Sequence, residues 1–315
     1  MEGQPHRVVV AGEVLFDAFP DGDRLGGAPF NFAYHLHGLG LSPLLLSRVG
    51  EDARGRRIRG AMAAAGLAAE GVQPDPDHPT GWVTVALDGA GGHQFTIHRD
   101  VAYDHLDLGE VEAAMAAAPV DLFYFGTLAC RAPASRTAIL AAAAATPGRR
   151  FLDVNLRPDC WEIDQVRACL RHATVVKLND EEVATLAPLL SLPEGEAAAV
   201  EALRDRFALE AVILTRGDRG AAWYGASGWD TCATPEVAVV DTVGAGDAFA
   251  AVSALGLLRG WPPALCLERA AALAAAVCTV RGACPEEAEF YAPFRDAFGA
   301  RGWGLGQDGP SGRMR

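Results

Sequence analysis

Short apolar runs rich in β-branched residues alternate with longer Ala- and Leu-rich stretches along most of the chain. The short runs have the length and composition of buried strands, and the longer ones carry apolar residues at helical spacing. The predicted strands are 7–11, 44–48, 122–125, 150–154, 175–178 and 212–215. The predicted helices are 31–38, 53–65, 134–145, 180–187, 196–207, 247–259 and 264–280. Such alternation is typical of βα units, so we expect an α/β fold with a mostly parallel sheet flanked by helices.

Two segments interrupt this alternation. Residues 80–87 and 93–98 have strand composition and flank a Gly-Ala-Gly-Gly turn, and residues 13–24 form the other interruption. We expect a small β-lid over a cleft, formed by about 13–28 and 80–100. The alternative is that the hairpin is an edge of the main sheet. Residues 1–303 are predicted to be a single α/β domain that includes this lid, and the aperiodic tail 304–315 is predicted to be disordered.

The charge balance limits the partners. Lys and Arg number 27 against 40 Asp and Glu, giving a formal net charge of −13, and the basic residues form no run. This excludes a nucleic acid, whose phosphates would be repelled. A small phosphorylated ligand is still compatible, because backbone N–H groups at a helix start bind phosphate. The apolar runs 8–11 and 270–280 are too short for a signal peptide or a membrane span, so we expect a cytoplasmic protein.

One glycine-rich string stands directly before a predicted helix, where residues 241–247 read Asp-Thr-Val-Gly-Ala-Gly-Asp. Its glycines let the N–H groups of Gly244, Ala245 and Gly246 converge, and the helix dipole adds positive potential, so the string predicts an anion hole. Asp247 lies at the same point, where a base would take a proton from an attacking hydroxyl. The alternative is that Asp247 only caps the helix.

Two commoner phosphate-binding motifs do not fit. A P-loop needs Gly-Lys-Ser/Thr, and the only lysine, Lys177, stands between two apolar residues. A dinucleotide fingerprint needs a third small residue where this chain has Phe249. The string 304–309 has suitable glycines but follows no predicted strand. Neither a P-loop enzyme nor a Rossmann dehydrogenase is therefore predicted.

Five strings, in order along about residues 7–300, resemble those of the ribokinase-like sugar kinases, also called the PfkB family. They are Gly26-Gly-Ala-Pro-Phe-Asn31, Asp153-Val-Asn-Leu-Arg157, Asn179-Asp-Glu-Glu182, Thr215-Arg-Gly217 with Gly220, and the string 241–247. The sequences of 12–17 and 19–27 look most like those of bacterial fructokinases. The resemblance implies a ribokinase-like fold with a small β-lid.

The resemblance also implies roles for single residues in sugar binding and catalysis. Asp247 would be the base, the 244–246 amides would hold the transferred phosphoryl group, and Arg157 would add a positive contact. The sugar hydroxyls would be bound by Asp17, Gly26, Gly27 and Asn31. The alternatives are a turn residue for Asp17 and a surface salt bridge for Arg157.

For the nucleotide and its cations, the resemblance implies a second set of residues. Asn179, Thr215, Gly217 and Gly220 would shape the nucleotide site. Glu182 would hold Mg²⁺ through water. Asp241 and the carbonyl of Val243 stand where relatives hold K⁺. The alternative for Asn179 and Glu182 is a solvated acidic helix start.

The implied function is an ATP-dependent kinase that phosphorylates a primary hydroxyl of a free ketohexose, D-fructose to fructose 6-phosphate, with Mg²⁺ and K⁺. We also expect a homodimer. One alternative is a 2-keto-3-deoxygluconate kinase, in which Arg99 would face the substrate carboxylate; another is a different ribokinase-family sugar or nucleoside kinase. A non-catalytic sugar-binding regulator is a third, although a pure binder has no use for a base at the anion hole.

Overall fold

The structure, a computed structural model, describes residues 6–87 and 93–299. The turn expected at 89–92 and the tail expected at 304–315 lie outside them. The strands are β1 Val8–Ala11, β2 Leu15–Phe19, β3 Gly22–Gly26, β4 Leu44–Gly50, β5 Val72–Asp75, β6 Trp82–Leu87, β7 His93–Ile97, β8 Leu122–Gly126, β9 Arg149–Asp153, β10 Val175–Asn179, β11 Ala211–Thr215, β12 Ala221–Gly225 and β13 Gly228–Cys232. The helices are α1 Ala28–Gly38, α2 Ala53–Ala64, α3 Leu108–Ala116, α4 Pro133–Ala145, α5 Ile163–His172, α6 Asp180–Leu189, α7 Glu196–Arg206, α8 Ala245–Arg259, α9 Pro263–Val277 and α10 Ala292–Gly299.

Nine strands of the described residues form the central sheet, in the order β13-β12-β11-β10-β9-β8-β1-β4-β5. The strands from β11 to β5 are parallel, and β12 and β13 add an antiparallel edge. The chain runs from β1 outward to β4 and β5, then continues on the other side of β1 from β8 to β11. In such sheets ligands bind beyond the carboxyl ends of the strands, where the order reverses.

Both faces of the central sheet are buried, because alternate residues of a strand point to opposite faces. In β1, Val8 and Val10 belong to a hydrophobic core that includes residues of α1, α2, α8 and α9. Val9 and Ala11 belong to a second core with residues of α3 to α7. Helices therefore cover the sheet on both sides.

A second sheet, which we call the lid sheet, contains four strands in the order β3-β2-β6-β7. β2 and β3 form one antiparallel hairpin, and β6 and β7 form another. β2 and β6 join the two hairpins as parallel neighbours. The two segments that interrupt the main sequence pattern thus pair with each other in a separate sheet.

The α/β fold class predicted from the sequence is confirmed, and the predicted strands and helices of the main pattern occur with ends shifted by at most three residues. The start of α1 shows the reason for one shift. Gly27 is its N-cap and Pro29 lies in its first turn, where the missing N–H of proline would have no partner anyway. The helix therefore begins at Ala28, before the predicted start at Asn31. Within the described residues, no helix is long and apolar enough to cross a membrane.

A buried ion pair links the end of the lid sheet to the body of the protein. Arg131 follows β8 and lies 2.9 Å from the carboxylate of Asp104, and the two side chains are only 5% and 4% exposed. The guanidinium also donates to the carbonyl of His98, just after β7, and to the hydroxyl of Tyr103. Arg131 therefore fixes the segment that leaves the lid sheet.

Replacing Asp104 by Ala should lower the free energy of unfolding by about 3 kcal/mol or more, because it leaves a buried guanidinium without its carboxylate. Urea unfolding measures the loss. The matched control is Asp164→Ala in the exposed pair with Arg167, which should stay within about 1 kcal/mol of the wild type. Equal losses in the two variants would contradict the expected importance of the buried pair.

Candidate active site

Polar side chains gather beyond the carboxyl ends of neighbouring parallel strands. Asp153 ends β9, Asn179 ends β10 and Thr215 ends β11. Helices α1 and α8 pack against each other and add Asn31 and Asp247 to this group. The predicted site residues from distant parts of the sequence thus meet at the edge where α/β sheets bind ligands.

Asp247, in the first turn of α8, is hydrogen-bonded to Asn31 of α1. The Asn31 Nδ2 donates to Oδ2 of Asp247 at 2.8 Å. The Cys284 thiol donates to Oδ1 of Asn31 at 3.4 Å, which keeps the amide nitrogen turned toward the carboxylate. The N-cap of α8 is Gly244, and Asp247 is the third helical residue. Its carboxylate is bonded to α1 rather than to the start of its own helix, so the capping alternative is not supported.

The surroundings of Asp247 favour its protonated form. Burial raises the pKa of Asp247 to about 6, and the nearby carboxylate of Asp153 acts in the same direction. The hydrogen bond from Asn31 and the positive charges of Lys177 and Arg157 act in the opposite direction. At neutral pH the carboxyl group is mostly ionised, yet it accepts a proton more readily than an ordinary aspartate. This is the property of a general base.

The start of α8 has the geometry of an anion site. Gly244 has a φ of 82°, and a Cβ there would lie 2.5 Å from Cα of Ala283, so only glycine fits. Among the described residues, nothing accepts a hydrogen bond from the N–H groups of Gly244 and Gly246, whereas that of Ala245 donates to the carbonyl of Thr242 at 3.3 Å. A phosphate oxygen would find two available N–H groups and a third in a long bond.

Lys177 forms a buried ion pair beside this helix start. Its Nζ lies 3.0 and 2.9 Å from the two carboxylate oxygens of Asp153, and the side chains are 8% and 1% exposed. A Cβ on Gly246 would lie 3.6 Å from Nζ, so the ammonium group adjoins the first turn of α8. Burial opposes its charge, but the carboxylates of Asp153, Glu182 and Asp247 outweigh burial and raise the lysine pKa.

Asn179 and Glu182 form a reciprocal capping box at the start of α6. Oδ1 of Asn179 accepts the N–H of Glu182, and Oε2 of Glu182 accepts the N–H of Asn179, both at 2.8 Å. Oε1 of Glu182 accepts the N–H of Leu156 at 2.7 Å. Glu182 is buried, which rules out a solvated acidic helix start at this residue. Burial, followed by the charge of Asp153, raises its pKa.

The four predicted sugar-binding residues lie on the lid sheet and the start of α1. Asp17 is on β2, and its Oδ2 would be 3.2 Å from a Cβ on Gly26. Gly27 has a φ of 110°, and a Cβ there would be 2.7 Å from the carbonyl oxygen of Glu13. The N–H of Asn31 donates to the carbonyl of Gly27 at 2.8 Å. A side chain at Gly27 would therefore collide with the backbone of Glu13, and one at Gly26 would make a tight contact with the Asp17 carboxylate.

Arg157 is exposed and adds a positive charge to that of Lys177 in this region. Burial raises the pKa of Asp17, and the charge of Arg157 lowers it only in part. The same charge acts to lower the pKa of Asp247. Among residues 6–87 and 93–299 Arg157 has no ion-pair partner, so the surface salt bridge considered as its alternative role is not formed there.

Glu13 is a buried carboxyl group near Arg157 and Asp247. One of its oxygens, Oε2, has no hydrogen-bond partner within the described residues. Burial raises the pKa of Glu13 to about 7; Arg157 and Arg131 act to lower it, and Asp247 acts to raise it further. Glu13 therefore adds a carboxyl group that is partly protonated at neutral pH.

The predicted nucleotide loop follows β11. Gly217 and Gly220 have φ angles of 60° and 93°, and a Cβ on Gly220 would collide with the carbonyl oxygen of Cys232. Arg216 is held by Glu196 of α7 at 2.7 Å. This ion pair holds the Arg216 side chain against α7. The backbone turn after Thr215 has positive φ angles at Gly217 and Gly220, which residues with a side chain rarely adopt.

The predicted K⁺ ligands lie in the loop before α8. The carboxylate of Asp241 accepts the N–H groups of Val243 at 3.1 Å and of Gly282 at 2.9 Å. Asp241 thus joins the loop to the segment after α9. Arg99, just after β7, is exposed and donates to the carbonyl of Asp159. It therefore bridges the lid sheet and the loop that carries Arg157.

The sequence interpretation assigns no role to Glu13, Asp153 or Lys177, although the structure brings all three into the site. For Lys177 there is a signal, because the only lysine of the chain stands in an apolar strand and a buried ammonium needs a carboxylate partner. Asp153 lies within the preceding predicted strand, 150–154, and is a carboxylate that could be this partner. Glu13 has no comparable signal in the sequence.

Comparisons with known proteins show the family and the fold of the chain. A family model described as pfkB family carbohydrate kinase matches residues 11–289. A fructokinase of Salmonella typhimurium is 33% identical over 259 residues, which are 78% of this chain and 82% of that protein. The fold is similar to that of a fructokinase with bound ATP from Xylella fastidiosa, with a TM-score of 0.81, 21% identity and coverage of 93% of this chain and 99% of that chain. It is also similar to a fructokinase from Vibrio cholerae O395 in a fructose, ADP and calcium ion bound form, with a TM-score of 0.78, 24% identity and coverage of 91% and 98%.

The chain belongs to the pfkB family of carbohydrate kinases. The family resemblance carried by the five strings is therefore confirmed, as are the ribokinase-like fold and the similarity to bacterial fructokinases. As a member of this family, the protein is a phosphotransferase that acts on a sugar.

Asp247→Asn should stabilise the protein at alkaline pH. Because the pKa of Asp247 rises from 3.8 to about 6 on folding, the folded protein holds a proton that the unfolded chain has lost, and stability falls as pH rises through this window. Asparagine avoids that loss, so at pH 8 the variant should be more stable by about 1–3 kcal/mol, with a smaller gain at pH 5.

Urea unfolding at the two pH values measures this difference. Asp164→Asn, at an exposed position of α5, is the matched control and should show no such pH dependence. A variant of Asp247 that is less stable than wild type at pH 8 would contradict the prediction.

Proposed function

We propose that this protein is an ATP-dependent fructokinase, which transfers the γ-phosphoryl group of ATP to O6 of free D-fructose. The main observation that supports Asp247 as the base is its hydrogen bond with Asn31 at the start of α8. The choice of sugar rests on the fructokinases of Salmonella typhimurium and other organisms to which the chain is similar.

In the proposed reaction the C6 hydroxyl oxygen attacks the γ-phosphorus. The bond from this phosphorus to the β–γ bridging oxygen breaks, and ADP leaves with that oxygen. Asp247 accepts the hydroxyl proton. The N–H groups of Gly244, Ala245 and Gly246 donate to the transferred phosphoryl oxygens, and Lys177 and Arg157 add positive charge. The chain contributes mainly positioning and electrostatic stabilisation, which phosphoryl transfer requires.

The sugar is proposed to bind between the lid sheet and α1. The carboxylate of Asp17 accepts hydrogen bonds from sugar hydroxyls, and the amide of Asn31 binds a hydroxyl next to Asp247. Gly26 and Gly27 allow the backbone to pass close to Asp17 and Glu13, which is proposed to bring this turn near the sugar. Closure of the lid sheet over the sugar would exclude water, which competes with the sugar as a phosphoryl acceptor.

The nucleotide is proposed to lie beyond β10 and β11, against Asn179, Thr215, Gly217 and Gly220. The positive φ angles of the two glycines keep this turn free of side chains, so a nucleotide can approach the backbone closely. The phosphates would then extend toward the start of α8, where the available N–H groups lie.

The residues present fit a magnesium ion. The charge of Asp153 raises the pKa of both Glu182 and Asp247, and Lys177 is the buried positive charge that the described residues place beside Asp153. A divalent cation with oxygen ligands relieves such an excess of negative charge. Glu182 would hold Mg²⁺ through water. When bound with ATP, the ion neutralises phosphate charge.

We further propose K⁺ binding by Asp241 and the Val243 carbonyl, a homodimer, and a cytoplasmic location where ATP is available. K⁺ is supported by the position of these ligands in the loop that precedes the anion site. A homodimer is supported by the lid sheet, in which β3 and β7 are the edge strands, because an edge strand is a surface on which another chain can pair. Activity with and without K⁺, and sedimentation of the protein, test the first two proposals.

Asp247→Asn should lower kcat for fructose by about 10²- to 10⁴-fold, or roughly 3–5 kcal/mol of barrier, because asparagine has nearly the same shape but does not accept the proton. ATP affinity should stay close to wild type. A coupled ADP-release assay gives kcat, and Asp164→Asn is the control with unchanged activity. If the variant keeps more than about a tenth of wild-type kcat, Asp247 is not the base.

Arg99→Ala should have little effect on activity with fructose, because a neutral sugar needs no compensating cation. The alternative substrate, 2-keto-3-deoxygluconate, would leave its carboxylate desolvated without Arg99, and the exposed guanidinium beside the lid sheet is the observation that favours it. Steady-state kinetics with both substrates decide. If the wild type is more active on 2-keto-3-deoxygluconate than on fructose, and Arg99→Ala loses that activity, then the sugar acid is the substrate and fructose is not.

Saturating fructose should slow amide hydrogen exchange in β2 and β6, because closure of the lid sheet over the sugar excludes water. Exchange followed by mass spectrometry measures this, with β12 and β13 as an internal control at the other edge of the molecule. If exchange in β2 and β6 is the same with and without sugar, the lid sheet does not close on this substrate.

A further inference from the structure

Two histidines and an aspartate meet at the base of the lid sheet. His78 stands shortly before β6, and Asp100 and His105 follow β7. The group therefore spans the two points where the chain enters and leaves the β6–β7 hairpin. One ligand atom from each side chain lies within 4.8 Å of the other two. None of the three belongs to the proposed sugar or nucleotide site.

The three side chains already face one another. The rings of His78 and His105 stack with centroids 3.6 Å apart and planes 11° from parallel. Oδ1 of Asp100 lies 2.8 Å from Nε2 of His105 and 3.8 Å from Nε2 of His78. The same carboxylate oxygen thus faces the Nε2 atoms of both rings, and Nε2 is one of the two imidazole atoms that bind metals.

The other ring nitrogen of His78, Nδ1, contacts the carboxylate of Asp75. Nδ1 lies 3.0 Å from Oδ2 of Asp75, whose side chain is fully buried. Arg48 pairs with the same carboxylate at 3.0 Å. The backbone N–H groups of Asp77 and His78 donate to Oδ1 of Asp75 at 2.9 and 3.0 Å. When Oδ2 accepts the Nδ1 proton of His78, the lone pair of the ring is on Nε2, which lies 3.8 Å from Oδ1 of Asp100.

A carboxylate behind one imidazole nitrogen is the usual support of a metal-binding histidine, because it fixes the tautomer and makes the other nitrogen a better donor. Two imidazoles and one carboxylate suit Zn²⁺ and similar transition ions, with water in the fourth position. Mg²⁺ prefers oxygen ligands and suits this set poorly. We infer that His78, Asp100 and His105 form a transition-metal site that takes Zn²⁺, with Asp75 as a positioning residue.

Binding would exchange the ring stacking and the contact between Asp100 and His105 for three bonds to the ion. The nearly parallel rings must open until both Nε2 lone pairs meet at one point. Asp100 and His105 have exposed fractions of 80% and 33%, so their side chains can turn by displacing water. The bound ion would cross-link the entry and exit of the β6–β7 hairpin.

The test is metal binding by the full chain after removal of metals. Co²⁺ is followed by its visible absorbance and Zn²⁺ by calorimetry, both with excess Mg²⁺ present to occupy oxygen sites. We expect a Co²⁺ spectrum typical of nitrogen ligands, and a melting temperature that rises with Zn²⁺. His78→Gln and His105→Gln should each weaken binding at least tenfold and abolish this rise.

His172→Gln is the matched control, since His172 is a partly exposed histidine on α5 bonded to the carbonyl of Ala168; it should bind both ions like the wild type. Melting temperatures without metal show whether each variant is folded. Equal Zn²⁺ affinity in the wild type and both histidine variants would overturn the inference. It would also be overturned if the wild type bound neither Co²⁺ nor Zn²⁺ when these ions were added in excess. Zn²⁺ binding that survives in these variants and is lost on alkylation of the cysteines would place the ion at thiols and also overturn it.

Discussion

The ion pair between Lys177 and Asp153 is the interaction on which the site depends. The two residues are direct cross-strand partners of β10 and β9, and both side chains are buried. Removing one partner would leave an uncompensated charge inside the protein, at a cost of about 3–5 kcal/mol. The pair also adjoins Gly246, so the same contact that joins two strands places a positive charge beside the first turn of α8. Packing of the sheet and the proposed anion site are therefore linked through one side chain.

Around this pair the protein keeps more carboxyl groups than it can neutralise. Burial raises the pKa of Asp247 to about 6 and that of Glu13 to about 7, and the pKa of Glu182 is raised as well. Fixed donors offset part of this cost, namely Asn31 at Asp247 and two backbone N–H groups at Glu182. A site of this kind lowers stability when empty and is stabilised by positive ligands, which is a common compromise between stability and activity.

Much of the fold could be predicted from the sequence, because buried parallel strands and the helices between them have clear patterns. The strings that carry Asn31 and Asp247 also marked the site. Their contact could not be predicted from spacing, since the two residues are 216 positions apart and meet only when α1 packs on α8. The pairing of β2 with β6 likewise depends on tertiary packing. The burial of Glu13 could not be predicted from the sequence, because a glutamate after a strand is equally compatible with a solvent-facing turn.

The rarity of lysine has a consequence for chemical modification. Apart from Lys177, every Lys or Arg position in the chain is arginine, and arginine keeps its charge at any pH the cell reaches. Acylation of surface lysines, a frequent means of removing positive charge from proteins, therefore has no side-chain target on the outside of this molecule. The one side-chain amine is enclosed beside the helix start. For an amine-reactive nucleotide analogue, the one lysine side chain is therefore Lys177, beside the proposed anion site.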